Sequence, residues 1–296
     1  MGYRMQVHDM QGEEKTAETK NRTRALLLKI LLNGFLMLYA ATAIFPPIWM
    51  FYSSIKTQAE FAVNVFSLPT HVYFTNYIKI FGMGTIYRAT FNSLFASLVS
   101  IILIVMLSFA VGYVLARYHF RLKRPIYLFF LFGILVPVYG LLVPVFIQFK
   151  AIGMLDNQFT IIPPMVAFGM PISIFLIEGY VNSIPISLEE SAYMDGSSQL
   201  NSIARIIFPI CSPIVATIVI LSFLSTWNEF GFPLVLLRSP QLKTVPLWLR
   251  TFFGQYATDY TGLMAALMIA SIPVIIAYLI FHEKIMQGLT AGAVKG

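Results

Sequence analysis

The chain has 296 residues, of which 58% are hydrophobic and 11% charged, and its mean hydropathy is +0.76. Soluble domains carry about 25% charged residues, so this chain has too little polar surface for water, and a soluble enzyme is excluded. The formal net charge of +7 is read as orientation in a bilayer, not as a nucleic-acid footprint.

Residues Met1 to Arg24 are mixed in charge and poor in apolar side chains, and a mobile cytoplasmic leader is expected there. Six apolar stretches then follow, each long enough to cross the hydrocarbon core as a helix of about 20 residues. They are 30–52, 91–116, 125–149, 159–181, 206–227 and 261–281. Lipid offers no partner for backbone polar groups, so each must be helical. The first resembles a signal peptide at Ala41-Thr42-Ala43, but apolar sequence continues through Trp49, and the stretch reads as an uncleaved anchor. The expected fold is all-α and polytopic, with an N-terminal segment 1–29, a six-helix domain 30–281 and a tail 282–296. The single Cys211 and the scattered His8, His71, His119 and His282 offer neither a disulfide nor a metal-ligand spacing, so no cofactor is expected in this chain.

Basic residues set the orientation. With the N-terminus inside, the segments 1–29, 117–124, 182–205 and 282–296 hold 13 Lys and Arg, against 7 in the opposite segments. The densest group is Arg117, Arg121, Lys123 and Arg124 in one short loop. A multi-pass protein of the cell (inner or plasma) membrane with both termini cytoplasmic is expected.

The connection 182–205 is too long for a simple loop. Ser187 and Glu190 have the spacing of a capping box, which starts a helix at Leu188. Gly196 can close that helix in the left-handed conformation, Ser197 or Ser198 can cap the next, and Leu200, Ile203 and Ile207 repeat at helical spacing up to Pro209. Two short helices meeting at a glycine corner result. The first shows Ala192, Tyr193 and Met194 flanked by Glu189, Glu190 and Asp195. A helix lying on an anionic membrane surface favours Lys and Arg; this acidic knob suits the groove of a protein partner.

These residues resemble a known family. Glu190-Ser191-Ala192, Asp195-Gly196, Ile206, Pro209 and Pro213 are similar to the EAA loop of ABC importer permeases, with Ser191 in place of the middle alanine. Phe74-Thr75-Asn76-Tyr77, Asn92-Ser93-Leu94, Ala116-Arg117-Tyr118-His119-Phe120, Trp227-Asn228-Glu229-Phe230 and the terminal Gly292-Ala293-Val294-Lys295-Gly296 resemble its carbohydrate branch, that of the second maltose-permease subunit. The resemblance runs from about residue 30 to the end. It implies a type I importer permease whose elbow, Glu189 to Gly196 (Glu189, Glu190, Ser191, Ala192, Tyr193, Met194, Asp195, Gly196), is a coupling helix seated in a cytoplasmic ATPase subunit. It further implies a dimer of ATP-binding subunits, a second homologous permease, an extracytoplasmic solute-binding protein and a carbohydrate substrate. This chain has no G-x-x-x-x-G-K-[ST] loop, so ATP and Mg belong to the partner subunits and the chain itself is not an enzyme.

Glu178 and Glu229 are the acids nearest the membrane interior, where ionisable groups are functional candidates. Both lie at span ends, and a structural or gate-lining role is favoured over substrate binding. Trp227, Asn228 and Glu229 are candidates for the substrate pathway, Trp227 being equally an interfacial anchor. The alternative function is an autonomous secondary transporter or channel using Glu178 and Glu229. The uncharged second and third stretches and the lack of an inverted repeat argue against it. Gly262, Ala266 and Ala270 read as a helix-packing series. Pro46-Pro47, Pro163-Pro164 and Pro171 read as interruptions that either free carbonyls along a cavity or act as tolerated kinks.

Overall fold

The computed structural model describes the backbone over residues 2–254 and 258–293, and side chains over 26–254 and 258–282. Val294-Lys295-Gly296 of the terminal motif therefore lies outside the described residues. The chain is helical nearly throughout. In order come α1 (Gly2–Ser54), α2 (Gln58–Val63), α3 (Thr75–Gly82), α4 (Thr85–Arg117), α5 (Lys123–Gly133), α6 (Leu142–Ala151), α7 (Ile162–Ser183), α8 (Ser187–Met194) and α9 (Gln199–Ser202). They are followed by α10 (Phe208–Ile210), α11 (Ser212–Trp227), α12 (Gly231–Leu236), α13 (Val245–Leu249) and α14 (Tyr260–Ala293). Among the described residues the only strand-like pairing is one bridge between Phe253 and Thr258.

Four helices are long and apolar enough to cross a membrane by themselves: Leu26–Ser54 of α1, α4, α7 and Tyr260–His282 of α14. The backbone of α1 runs back to Gly2 without a break, so the leader expected to be mobile is a continuation of the first helix. The third and fifth apolar stretches are broken. Lys123–Gly133 meets Val138–Ala151 at 93°, and Gln199–Ile210 meets Ser212–Trp227 at 73°. The expectations of unbroken helices over 125–149 and 206–227 are thus corrected. Gly133 lies against Pro171 of α7, where a Cβ would sit 3.0 Å from the proline ring, and Pro137 follows the break. A helix cannot hold its hydrogen bonds through such a position.

Contacts between connections show that both broken stretches still carry the chain from face to face. On one face Gln58 Nε2 donates to the Thr258 carbonyl (3.1 Å), Lys79 pairs with Asp259 (2.9 Å) and the Ser239 hydroxyl bonds Asp156. This gathers the connections 53–90, 150–158 and 228–260. On the other face Arg117 pairs with Glu189, which joins 117–124 to 182–205. Six passages through the layer result, four straight and two bent.

The centre is the crossing of α4 and α7, which approach closely because two glycines stand at the contact. A Cβ on Gly112 would lie 2.8 Å from the Ile177 side chain, and one on Gly169 would lie 2.5 Å from Ile104. Small residues that let backbones approach are how helices associate where lipid removes the hydrophobic drive. Buried Ser93, Ser97, Ser100 and Ser108 continue this face of α4. One apolar cluster fills the space between α4, α7 and the elbow side of α11, around Phe109, Ile177, Ile207 and Cys211. A second joins α3, α4, α11, α13 and α14 around Trp227, Trp248 and Ala266. Ala266 is buried at that contact, in keeping with the packing series. Gly262 is small for another reason: Asp259 folds over it to accept its N–H (2.9 Å). Pro163 and Pro164 do not interrupt α7; they begin it, at positions where a missing N–H costs nothing.

Candidate functional site

The elbow forms as two helices on a glycine corner. Gly196 has φ +80°, its N–H reaches the Tyr193 carbonyl (3.0 Å), and the Ser197 N–H reaches that of Ala192 (2.9 Å). This is the double closure of a Schellman motif. Ser198 caps α9 by accepting from the Asn201 N–H. The capping box at the start of α8 does not form. Pro185 and Ile186 turn the chain early, so Ser187 is already helical, and no side chain caps the first turn. Beyond α9 the regular helix also fails: Ile203–Ile207 is a π turn, which leads through Pro209 to the corner at Cys211.

The eight elbow residues divide by face. Glu189 and Ala192, three apart, point inward and are buried. Tyr193 is 43% exposed and Met194 88%, and Leu200 beyond the corner is 79% exposed. Glu190, Ser191, Asp195 and Gly196 are exposed with them. Glu189 therefore does not belong to the outward knob. One of its carboxylate oxygens accepts from Arg117 Nε (2.5 Å) and the other from the Tyr113 hydroxyl (2.5 Å), with side-chain exposures of 10% for Arg117 and 6% for Glu189. The first of two adjacent glutamates is an anchor and the second is free.

The three residues placed on a substrate pathway fare differently. Trp227 is 3% exposed, stacks on Phe223 and donates its indole N–H to the Ala270 carbonyl (3.2 Å). It packs α11 onto α14 and presents no face to a pathway. The Asn228 amide donates to the Leu224 carbonyl (2.8 Å), closing the end of α11, while the residue stays exposed. Glu229 accepts from the Phe232 N–H (3.0 Å), capping α12. Glu178 likewise accepts from Asn182 one turn on (2.6 Å). Both acids of the alternative reading are thus tied to local structure at helix ends.

Several ties went unnoticed in the sequence. Asn76 donates to the carbonyls of Ser54 (2.8 Å) and Lys56 (2.9 Å), closing α1. Asn92 holds the carbonyls of Gln241 (2.8 Å) and Lys243 (3.1 Å), and Ser93 accepts from the Val245 N–H (2.8 Å). Asp156, at φ 57°, accepts from the Ser239 hydroxyl and from the N–H groups of Ser239 and Arg238 (2.8 Å each). Those bonds, the Ser239 hydroxyl first, hold its carboxyl below the usual range. Only the local motifs around Asn76 and Asn92 gave a signal; the partners lie far along the chain. Among the described residues no cluster of His, Cys, Asp and Glu could hold a metal.

An all-helical membrane layer with broken crossings thus carries an exposed two-helix elbow on one face. Residues 108–290 match the family model described as binding-protein-dependent transport system inner membrane component, and the chain belongs to that family. It is the membrane-spanning permease subunit of an ABC importer. It is 33% identical to the putative ABC transporter permease protein ORF2 of Caldicellulosiruptor sp. (strain Rt8B.4), over 88% of this chain and 95% of that protein. With the arabinooligosaccharides transport system permease protein AraQ of Bacillus subtilis (strain 168) the identity is 31%, over 90% and 96%. Among solved structures, a bacterial ABC transporter involved in the import of the acidic polysaccharide alginate superposes with a TM-score of 0.76 at 25% identity, covering 87% of this chain and 96% of that one.

Proposed function

We propose that this permease imports a sugar or oligosaccharide, received from an extracytoplasmic binding protein, and that the exposed elbow tip seats in an ATP-hydrolysing subunit. The observation that carries the coupling reading is the tip itself. Met194 and Leu200 stand almost fully exposed on either side of Gly196, while their own helices are held rigidly by the corner and by buried Glu189. Exposed apolar side chains on a rigid mount mark an interaction surface. Glu190 and Asp195 beside them favour a protein groove over an anionic lipid surface. The elbow face carries most of the chain's Lys and Arg, which supports its being cytoplasmic together with both termini.

ATP and Mg act in the partner subunits, two of which pair with this permease and a second, related one. The carbohydrate reading rests on the relatives, which are named for an arabinooligosaccharide and for the polysaccharide alginate. Asn228 and Glu229 remain pathway candidates at the outer end of α11; Trp227 does not. The test is reconstitution of the complete complex in vesicles with its binding protein. A panel of sugars is screened for ATP-dependent accumulation, and Met194→Cys is probed for cross-linking to the ATPase subunit. Accumulation of a non-carbohydrate solute alone would overturn the substrate reading. An elbow cysteine that captures no ATPase subunit in a transporting complex would overturn the coupling reading.

A further inference from the structure

The elbow has two attachments to the membrane layer, and they differ in kind. On the α7 side Arg117, the last residue of α4, spans the joint. Its Nε donates to Glu189 in the elbow, and its Nη2 donates to the Ile184 carbonyl (3.0 Å) between α7 and α8. Tyr113, one helical turn before Arg117 and on the same face, fills the second oxygen of Glu189. An ion pair this buried is dearly desolvated and is weak ground for stability alone; with Arg117 Nε on one carboxylate oxygen, the Tyr113 hydroxyl on the other and Nη2 on the Ile184 carbonyl, it is a strong ground for fixed geometry. On the α11 side the path runs through a π turn at Ile203–Ile207, through Pro209 and Pro213, which lack an N–H, and round a 73° bend. That path leaves the α-helical register and turns, with no ion pair among the described residues to fix it, while Ile207 and Cys211 keep it packed against the core.

We infer that Tyr113, Arg117 and Glu189 form a rigid joint through which displacement of the elbow is delivered to the α4–α7 pair. The three are positioning residues: they touch neither substrate nor nucleotide. The glycine contacts at Gly112 and Gly169 extend the same rigidity along the crossing, so that α4, α7 and α8 move as one lever. The inference rests on the coupling reading of the elbow and specifies which helices receive the motion.

The test uses the complete complex in vesicles and reads solute imported per ATP hydrolysed. Tyr113→Phe removes one hydroxyl and is expected to lower that ratio about tenfold, and Glu189→Gln about a hundredfold, the scale of losing one or two bonds to a charged group. ATP hydrolysis itself persists. In a Cys211→Ala background, Arg117→Cys with Glu189→Cys is expected to be uncoupled when reduced and to recover when the pair is bridged by a short reversible thiol cross-linker. A fall in thermal stability with an unchanged import-to-ATP ratio in these variants would assign the cluster to structure and overturn the inference, as would failure of the bridge to restore coupling. Failure of the coupling reading is distinguishable: Met194→Cys, in an otherwise unaltered complex, would then not cross-link to the ATPase subunit.

Discussion

Gly196 offers the sharpest perturbation of the elbow. Its φ of +80° lies where side-chain-bearing residues are strained, yet no atom stands within 4 Å of the position a Cβ would take. The cost of substitution is therefore conformational and not steric. An L-residue forced into the left-handed region loses about 1–2 kcal/mol, which corresponds to about a five- to thirtyfold fall in the population of the bent corner. Gly196→Ala should lower solute imported per ATP by up to that factor. Gly196→Pro should do more, because proline fixes φ near about −65° and deletes the N–H that bonds the Tyr193 carbonyl (3.0 Å). Gly196→Asn should recover most of the loss, asparagine being tolerant of this region. Gly179→Ala is the control: it too meets nothing within 4 Å but lies inside helical α7, where alanine is favoured by about 0.5–1 kcal/mol. The assay is paired uptake and ATP hydrolysis in vesicles, with assembly checked by co-purification of the subunits. Wild-type coupling in both Gly196→Ala and Gly196→Pro, or an asparagine variant as impaired as proline, would refute the argument from backbone conformation.

Two further outcomes are expected from packing and charge. Gly112→Val should lower the thermal midpoint of the detergent-purified complex, since its side chain meets Ile177 at 2.8 Å and the Ile174 carbonyl at 3.2 Å; overpacking of this kind costs about 1–3 kcal/mol, and an unchanged midpoint would show that α4 and α7 can separate freely. Asp156 has a folded pKa below its unfolded one, so its contribution is complete above the unfolded value of about 4 and is lost as pH falls through the depressed folded value. Thermal unfolding of wild type should therefore weaken more steeply on acidification below about pH 4 than that of Asp156→Asn; equal slopes would deny Asp156 its role in tying the connection before α7 to Ser239.

Much of the architecture was legible because hydropathy reports the one property a bilayer demands. The six passages, their grouping by face and the glycine corner at 196 follow from run length, charge and a residue without a side chain. The break in the third stretch was not legible, because Gly133 and Pro137 occur in many unbroken membrane helices and the packing of Gly133 against Pro171 is a contact far along the chain. The capping box at Ser187 failed because Pro185 starts the helix one residue early. Glu189 and Glu190 look equivalent in sequence; a rotation of about 100° per residue sends one into the protein and leaves the other outside. Trp227 beside Asn228 and Glu229 suggested a polar pathway, whereas its indole is satisfied by Ala270, a partner 43 residues away.

The polar residues of this chain separate into those already satisfied and those still open, and that division locates its chemistry. Asn76, Asn92, Ser93, Asp156 and Glu229 each spend their hydrogen bonds on helix ends and on the connections of one face, and Trp227 spends its own on α14. They explain why the same short motifs flank the crossings: each holds a helix end or joins two elements. At the opposite face Glu189 is satisfied and inward, while Met194 and Leu200 are apolar, exposed and without partners on rigid backbone. Unspent apolar surface is what another protein can bury, and unspent polar groups are what a sugar can bind. Within the connections 117–124 and 182–205, Met194 and Leu200 are the most exposed of the large apolar side chains.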